Sequence, residues 1–177
     1  MRIRQQHADE WPAVRELVRV AFEDSDPNFA VLVDRIHESP EWVAHLSLVA
    51  EVRNELVGNI LISKAPLHTE RGPLEALVLA EVGVLPDARG QGFGSALLRT
   101  AVRRAEEGVE SVLVARGDAA YYQRFGFRAG ADLGITAPSD RIPPDQFMVL
   151  PLPQYDEHDR GRLELPAYFW ESGISGL

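Results

Sequence analysis

The chain has 177 residues, the size of one ordinary domain, enough to bury roughly 70% of the surface its unfolded form exposes without covalent staples. It has no cysteine, which excludes disulfides, thiolate metal sites and a cysteine nucleophile. With 27 acidic against 18 basic residues the formal charge is -9, which repels phosphate backbones and argues against nucleic acid as a partner.

The first residues, "MRIRQQHADEW", lack an apolar signal core, and no segment nears the roughly 18 apolar residues of a membrane span. A soluble protein with no membrane partner is expected, with the cytoplasm as its default location. Trp11, Val14, Leu17, Val18, Ala21 and Phe22 recur at helical spacing and predict a first helix with one buried face. Phe29, Leu32, Val33 and Ile36 repeat the pattern after Pro27, which suits a helix's first turn. The period then shortens. "LSLVAEV" and "LVGNILIS", separated by "RNE", read as a hairpin. Leu74 to Leu85 form a longer apolar strand entered through Gly72-Pro73 and closed by Pro86, and Gly83 inside it suggests a bulge or a close ligand.

From Gly92 a helix places Phe93, Ala96, Leu97, Ala101 and Ala105 on one face and ends at Gly108. "SVLVA" reads as a buried strand, "DAAYYQRF" as a short helix with Asp118 as N-cap and Gly126 as its stop, and "QFMVLPL" as a last strand. The charged, turn-rich "PQYDEHDRGRLELP" leads into "AYFW". No repeat or linker divides the chain, so a single domain over residues 1–177 is expected, with 151–177 packing on it.

Glycines 90, 92 and 94 stand between that long strand and the helix after it. A helix N-terminus presents unpartnered N–H groups and about half a positive charge, so anions bind there. Glycines keep side chains clear of a diphosphate at that place, and Arg89 adds a charge; the alternative is that glycine merely makes the turn. A P-loop is excluded because Ser95 follows Gly94 with no lysine nearby. A dinucleotide fingerprint through Gly90, Gly92 and Ser95 fails because Pro86 to Arg89 separate it from the strand. The histidines show no ligand spacing and Ser95 lies in no nucleophile elbow, so neither a metal site nor a serine hydrolase is indicated.

Arg89-Gly90-Gln91-Gly92-Phe93-Gly94 resembles the signature of the GNAT superfamily of N-acetyltransferases, with "VGVLP" before it similar to the family's fourth strand and "YYQRFGF" after it similar to its tyrosine-bearing helix. The "GDAAYYQRFGF" and "LPAYFW" stretches resemble a bacterial subgroup. The resemblance implies a mixed α/β (α+β) fold whose mainly antiparallel sheet, flanked by helices, splays between the fourth and fifth strands. It also implies acetyl-CoA as cosubstrate, no metal, and an amine acceptor, small molecule or protein, attacked directly in a ternary complex. A homodimer is left open, and so is a non-catalytic module that binds coenzyme A or an acyl-CoA.

On that resemblance Val82, Gly83 and Val84 form the edge that pairs with pantetheine, and the Val84 N–H donates to the thioester oxygen. Arg89, Gly90, Gln91, Gly92, Phe93, Gly94 and Ser95 form the diphosphate cradle. An alkylammonium is neutral only to about 0.04% at pH 7, so a base is needed. Glu81 is the candidate because it interrupts an apolar strand where desolvation raises its pKa, unless its side chain turns to a wet face. The leaving thiolate needs an acid. Tyr122 has the family's spacing from Gly126-Phe127, with Tyr121 as its rival.

Overall fold

The computed structural model describes residues 1–177. In chain order it contains β1 (Arg2–Gln5), α1 (Trp11–Ala21), α2 (Phe29–His37), β2 (Leu48–Val52), β3 (Glu55–Thr69), β4 (Gly72–Val84) and α3 (Phe93–Ala105). After these come β5 (Val112–Arg116), α4 (Ala119–Gln123), β6 (Arg128–Ala129), β7 (Ile135–Thr136), β8 (Phe147–Pro151), β9 (Gly161–Leu163) and α5 (Ala167–Glu171). Strands run β1-β2-β3-β4-β5-β8-β6 across one sheet, with β9 paired to β3 and β7. All pairs are antiparallel except β4 with β5 and β7 with β9. No helix is long and apolar enough to cross a membrane.

The sheet is covered on both faces because the helices carry one apolar stripe each. Val14, Leu17, Val18 and Ala21 of α1 and Ala30, Leu32, Val33 and Ile36 of α2 are buried on one side. Leu97, Leu98, Ala101 and Ala105 of α3 are buried on the other. Two apolar cores result, one under α1, α2 and α5 and one under α3 and α4. The β2–β3 hairpin turns on Arg53 and Asn54, both at positive φ (52° and 66°), the two-residue turn whose twist matches paired strands.

Three features depart from the sequence reading. A strand, β1, precedes the first helix; with Ile3 its only apolar residue it shows no periodicity, and it is held at the sheet edge by β2 and by Arg4, whose guanidinium lies 2.6 Å from Glu10 and 2.8 Å from Glu51. Pro27 stands outside α2, whose N-cap is Asn28, and the Asp26 carboxylate accepts the Asn28 N–H instead. The charged tail contains β9, which pairs Leu163 with Leu67, Arg162 with His68 and Gly161 with Thr69. Charged residues are tolerated there because Arg162 and Glu164 face outward while Leu163 and Leu165 are buried.

β9 approaches β3 so closely that a Cβ on Gly161 would overlap the main-chain carbonyl of His68. Gly161→Ala therefore forces β9 off β3, and a loss of about 1–3 kcal/mol is expected in denaturant unfolding. Unchanged stability in that variant would show that β9 adds nothing to the fold.

Candidate active site

β4 pairs with β3 from Gly72–Thr69 to Val84–Gly58. The register shifts between Leu61, opposite Glu81, and Ile62, opposite Leu79, so Ala80 is the extra residue of a β-bulge. The bulge suggested by Gly83 thus lies three residues earlier. On its other edge β4 pairs with β5 only at Leu77–Leu113 and Val78–Val114. Beyond Val78 the strands part, and a cavity of about 720 Å³ passes between them. Leu85 N–H donates to Val57 O at 2.9 Å. Because successive N–H groups of a strand point to opposite edges, those of Val84 and Val82 face the gap. Unpaired main chain in such a place is costly, so this edge suits an extended ligand with its own amides, as the pantetheine arm of coenzyme A is.

Glu81 is 3% exposed. The bulge turns it to the α1 face, where Asn59 of β3, 1% exposed, donates through Nδ2 to Glu81 Oε1. Burial pushes the carboxyl up to about 8, against the opposing pull of the Asn59 hydrogen bond. Glu81 Oε2 and Asn59 Oδ1 are buried without a hydrogen-bond partner. Gly83 makes room for this pair: a Cβ on it would lie 2.7 Å from Asn59 Oδ1 and 3.2 Å from Glu81 Oε2. Its missing side chain faces the carboxylate, not the gap. Asn59 is the site residue that the sequence reading missed. Its only signal was an amide within the apolar run "LVGNILIS".

The glycine loop leads into α3 through Gly90 (φ 75°) and its N-cap Gly92 (φ 86°), both in the left-handed region that other residues rarely adopt. Nothing lies within 4 Å of a Cβ at either, so conformation is the constraint there. The first α3 hydrogen bond is Ala96 N–H to Gly92 O at 3.0 Å, which leaves the N–H groups of Phe93, Gly94 and Ser95 without helical acceptors. The Phe93 side chain is buried beneath α3, so that residue offers a ligand only its main chain. Gln91 folds back, donating to Asp87 O at 3.1 Å. Arg89 donates to Ala21 O at 2.6 Å and ties the loop to the end of α1.

Of the predicted site residues, Glu81, Val82, Val84, Arg89, Gly94 and Tyr122 line the cavity, and Tyr121 joins them. Gly83, Gly90, Gln91, Gly92, Phe93 and Ser95 lie outside its lining. The two tyrosines meet edge to face at 5.2 Å. Tyr122 is buried, packs on Phe127 and passes under Gly117, where a Cβ would sit 2.8 Å from its Cε2. Its hydroxyl pKa is raised, mainly by burial and further by the charges of Tyr121 and Glu81. Tyr121 is half-buried and reaches the start of α3, its hydroxyl 3.6 Å from where a Gly94 Cβ would stand, with the Arg124 guanidinium 4.8 Å from its ring centre.

A family model of the acetyltransferase (GNAT) domain matches residues 2–130. The uncharacterised N-acetyltransferase YjhQ of Escherichia coli strain K12 is 35% identical over 127 residues, 71% of this chain and 68% of that protein. Among solved structures, the GNAT family N-acetyltransferase YhbS from Escherichia coli, in complex with CoA, superposes with a TM-score of 0.84 at 24% identity over 99% of this chain and 95% of its own. A GNAT family acetyltransferase from Brucella melitensis, in complex with acetyl-CoA, gives 0.74 at 25% identity over 95% and 97%. The signature loop, the parting of β4 from β5 and these likenesses agree, and the chain belongs to the GNAT family of N-acetyltransferases.

Proposed function

We propose that the protein transfers an acetyl group from acetyl-CoA to a primary amine by direct attack, with Glu81 as base and Tyr122 as acid. The observation that carries this reading is the buried Glu81 carboxyl beside the open β4 edge, sharing one cavity with Tyr122. Coenzyme A complexes of similar folds support the choice of cosubstrate.

Bound acetyl-CoA supplies the acetyl thioester. The main-chain N–H groups of Phe93, Gly94 and Ser95 face its diphosphate at the positive end of α3, and Val82 and Val84 pair with its amide-bearing arm. Glu81 accepts the ammonium proton of the acceptor, directly or through water, and so exposes the nitrogen lone pair. With a pKa of about 8 it is ionised in about a tenth of molecules at pH 7, yet holds a proton far better than an ordinary carboxylate. The Val84 N–H donates to the carbonyl oxygen as negative charge gathers there. Tyr122 gives its proton to the departing sulfur, and its raised pKa keeps it protonated over the working range. Release of free thiol on adding primary amines to protein and acetyl-CoA tests the reading. Binding without release from any amine would leave a coenzyme-binding module.

Acetyl-CoA at 100 times its Kd should stabilise the protein by about 2.7 kcal/mol. Gly92→Val, which cannot keep the N-cap conformation, should remove that thermal shift while retaining the wild-type circular dichroism. A full shift in the variant would place the diphosphate elsewhere.

Glu81 is neutral below its raised pKa and becomes an acceptor above it, so wild-type kcat/KM should climb through an inflection near pH 8. Glu81→Gln should lose the inflection and about 100- to 10,000-fold of activity at pH 7.5, then recover about tenfold per pH unit as solution supplies neutral amine. Parallel profiles would retire Glu81 as the base.

Tyr122→Phe should lower kcat by a similar factor while keeping the acetyl-CoA thermal shift. Tyr121→Phe should keep most turnover. The reverse result would assign the acid to Tyr121.

A further inference from the structure

The cavity has two halves. One lies toward the α3 N-terminus, where Arg89, Gly94 and Tyr121 line it, and is committed to the coenzyme by the transferase reading, on which the assignment of the other half rests. That other half lies against α1, α2 and the last residues of the chain, and Phe22, Phe29, Leu32, Phe147, Leu165 and Phe169 are among its lining side chains. Phe22 and Phe29 stack at 4.3 Å. Three hydrogen bonds close this half. Asn28 Nδ2 donates to Gly173 O at 2.8 Å, Ser175 N–H donates to Asp26 Oδ2 at 2.7 Å, and Arg116 Nη1 donates to Ser175 O at 2.9 Å. They bring Ile174 and Leu177 into the wall.

Charge is scarce in this lining. Its side-chain carboxylates are Glu81 and Asp26, and each Asp26 oxygen holds a main-chain N–H, Oδ1 that of Asn28 at 3.0 Å and Oδ2 that of Ser175 at 2.7 Å. Only Glu81 has an oxygen without a partner. A second cationic group seated among Phe22, Phe29, Leu32 and Phe169 would be buried against apolar side chains and stripped of its hydration, which is unfavourable. The volume of about 720 Å³, shared with the coenzyme arm, is that of a small-molecule site. We propose that the acceptor is a primary monoamine carried on a small apolar body, an alkyl or arylalkyl amine, seated between the α1–α2 phenylalanines and the Ile174–Leu177 wall with its nitrogen toward Glu81.

The test measures thiol release from acetyl-CoA with propylamine, butylamine, hexylamine and 2-phenylethylamine against spermidine, glucosamine and a lysine-containing peptide, with kcat/KM corrected for each amine's pKa. Each methylene added from propylamine to hexylamine should raise kcat/KM about fourfold until the wall is met. Hexylamine and 2-phenylethylamine should exceed spermidine, glucosamine and the peptide by at least about tenfold. Leu177→Asp, which replaces an apolar side chain of the wall by a carboxylate, should shift the hexylamine-to-spermidine ratio at least about tenfold toward spermidine and keep the acetyl-CoA thermal shift; Phe22→Ser serves as the second variant, with a raised KM for hexylamine. Equal or better turnover of spermidine, glucosamine or the peptide by the wild type overturns the apolar acceptor and leaves the transferase standing. A ratio and KM untouched in both variants overturns the placement of the acceptor. No thiol release with any amine overturns the transferase reading and this one together.

Discussion

β4 has a register partner on β5 at Leu77 and Val78 and none after, while its pairing with β3 continues to Val84. A strand paired on one edge only, in the middle of a sheet, leaves main-chain donors and acceptors that water or a ligand must satisfy. The cavity, the exposed N–H groups of Val82 and Val84 and the access to both faces of the sheet all result from that single departure. The bulge at Ala80 has the second consequence. In an unbroken strand Glu81 would share the α3 face with Leu79; the extra residue sends its side chain to the α1 face beside Asn59.

Burying a carboxyl there is tolerable because it holds a proton. Away from bulk water the charged form is disfavoured far more than the neutral acid, and the hydrogen bonding the carboxyl receives, chiefly from Asn59, offsets only part of that. The same desolvation that works against the charged form makes the group a stronger base when it does ionise. Two buried oxygens, Glu81 Oε2 and Asn59 Oδ1, are left without hydrogen-bond partners, a cost that few buried groups carry. Gly83 belongs to this arrangement, since a side chain there would collide with the pair from behind.

The two cores do different work around the gap. The α3 core is dense at its base, where Leu97, Leu98 and Ala101 are fully buried, and this holds the α3 N-terminus, and so the glycine loop, against the β4 edge. The α1–α2 core is completed by distant parts of the chain: β9 supplies Leu163, α5 supplies Phe169, and the segment beyond is pinned to Asp26, Asn28 and Arg116. The α3 side of the gap is thus built from β4, the glycine loop and α3 in succession, and the opposite wall from pieces separated by more than a hundred residues.

That difference explains what could be read without a structure. Periodicity is a local property, so the helical stripe from Val14 to Ala21 and that from Leu97 to Ala105 were legible from spacing alone. The glycine loop before α3 was legible too, because a positive φ at a helix start favours glycine whatever surrounds it. Spacing could place Tyr122 and Glu81 on their elements, and could not say which way Glu81 faced. Alternation fails across a bulge, and the position of the bulge depends on how β4 registers with β3. Asn59, the strand β9, and the wall of Ile174 and Leu177 carry no local signal that fixes their roles. Their roles come from long-range pairing, in which an amide in an apolar run or a leucine in a charged tail acquires meaning from what lies across the sheet. The sequence by itself determined the helices, the main strands and the glycine loop, since each is specified within one turn or one strand. Tertiary structure decided the direction of the carboxylate, its partner and the shape of the second half of the cavity, because those depend on register and on where distant segments dock.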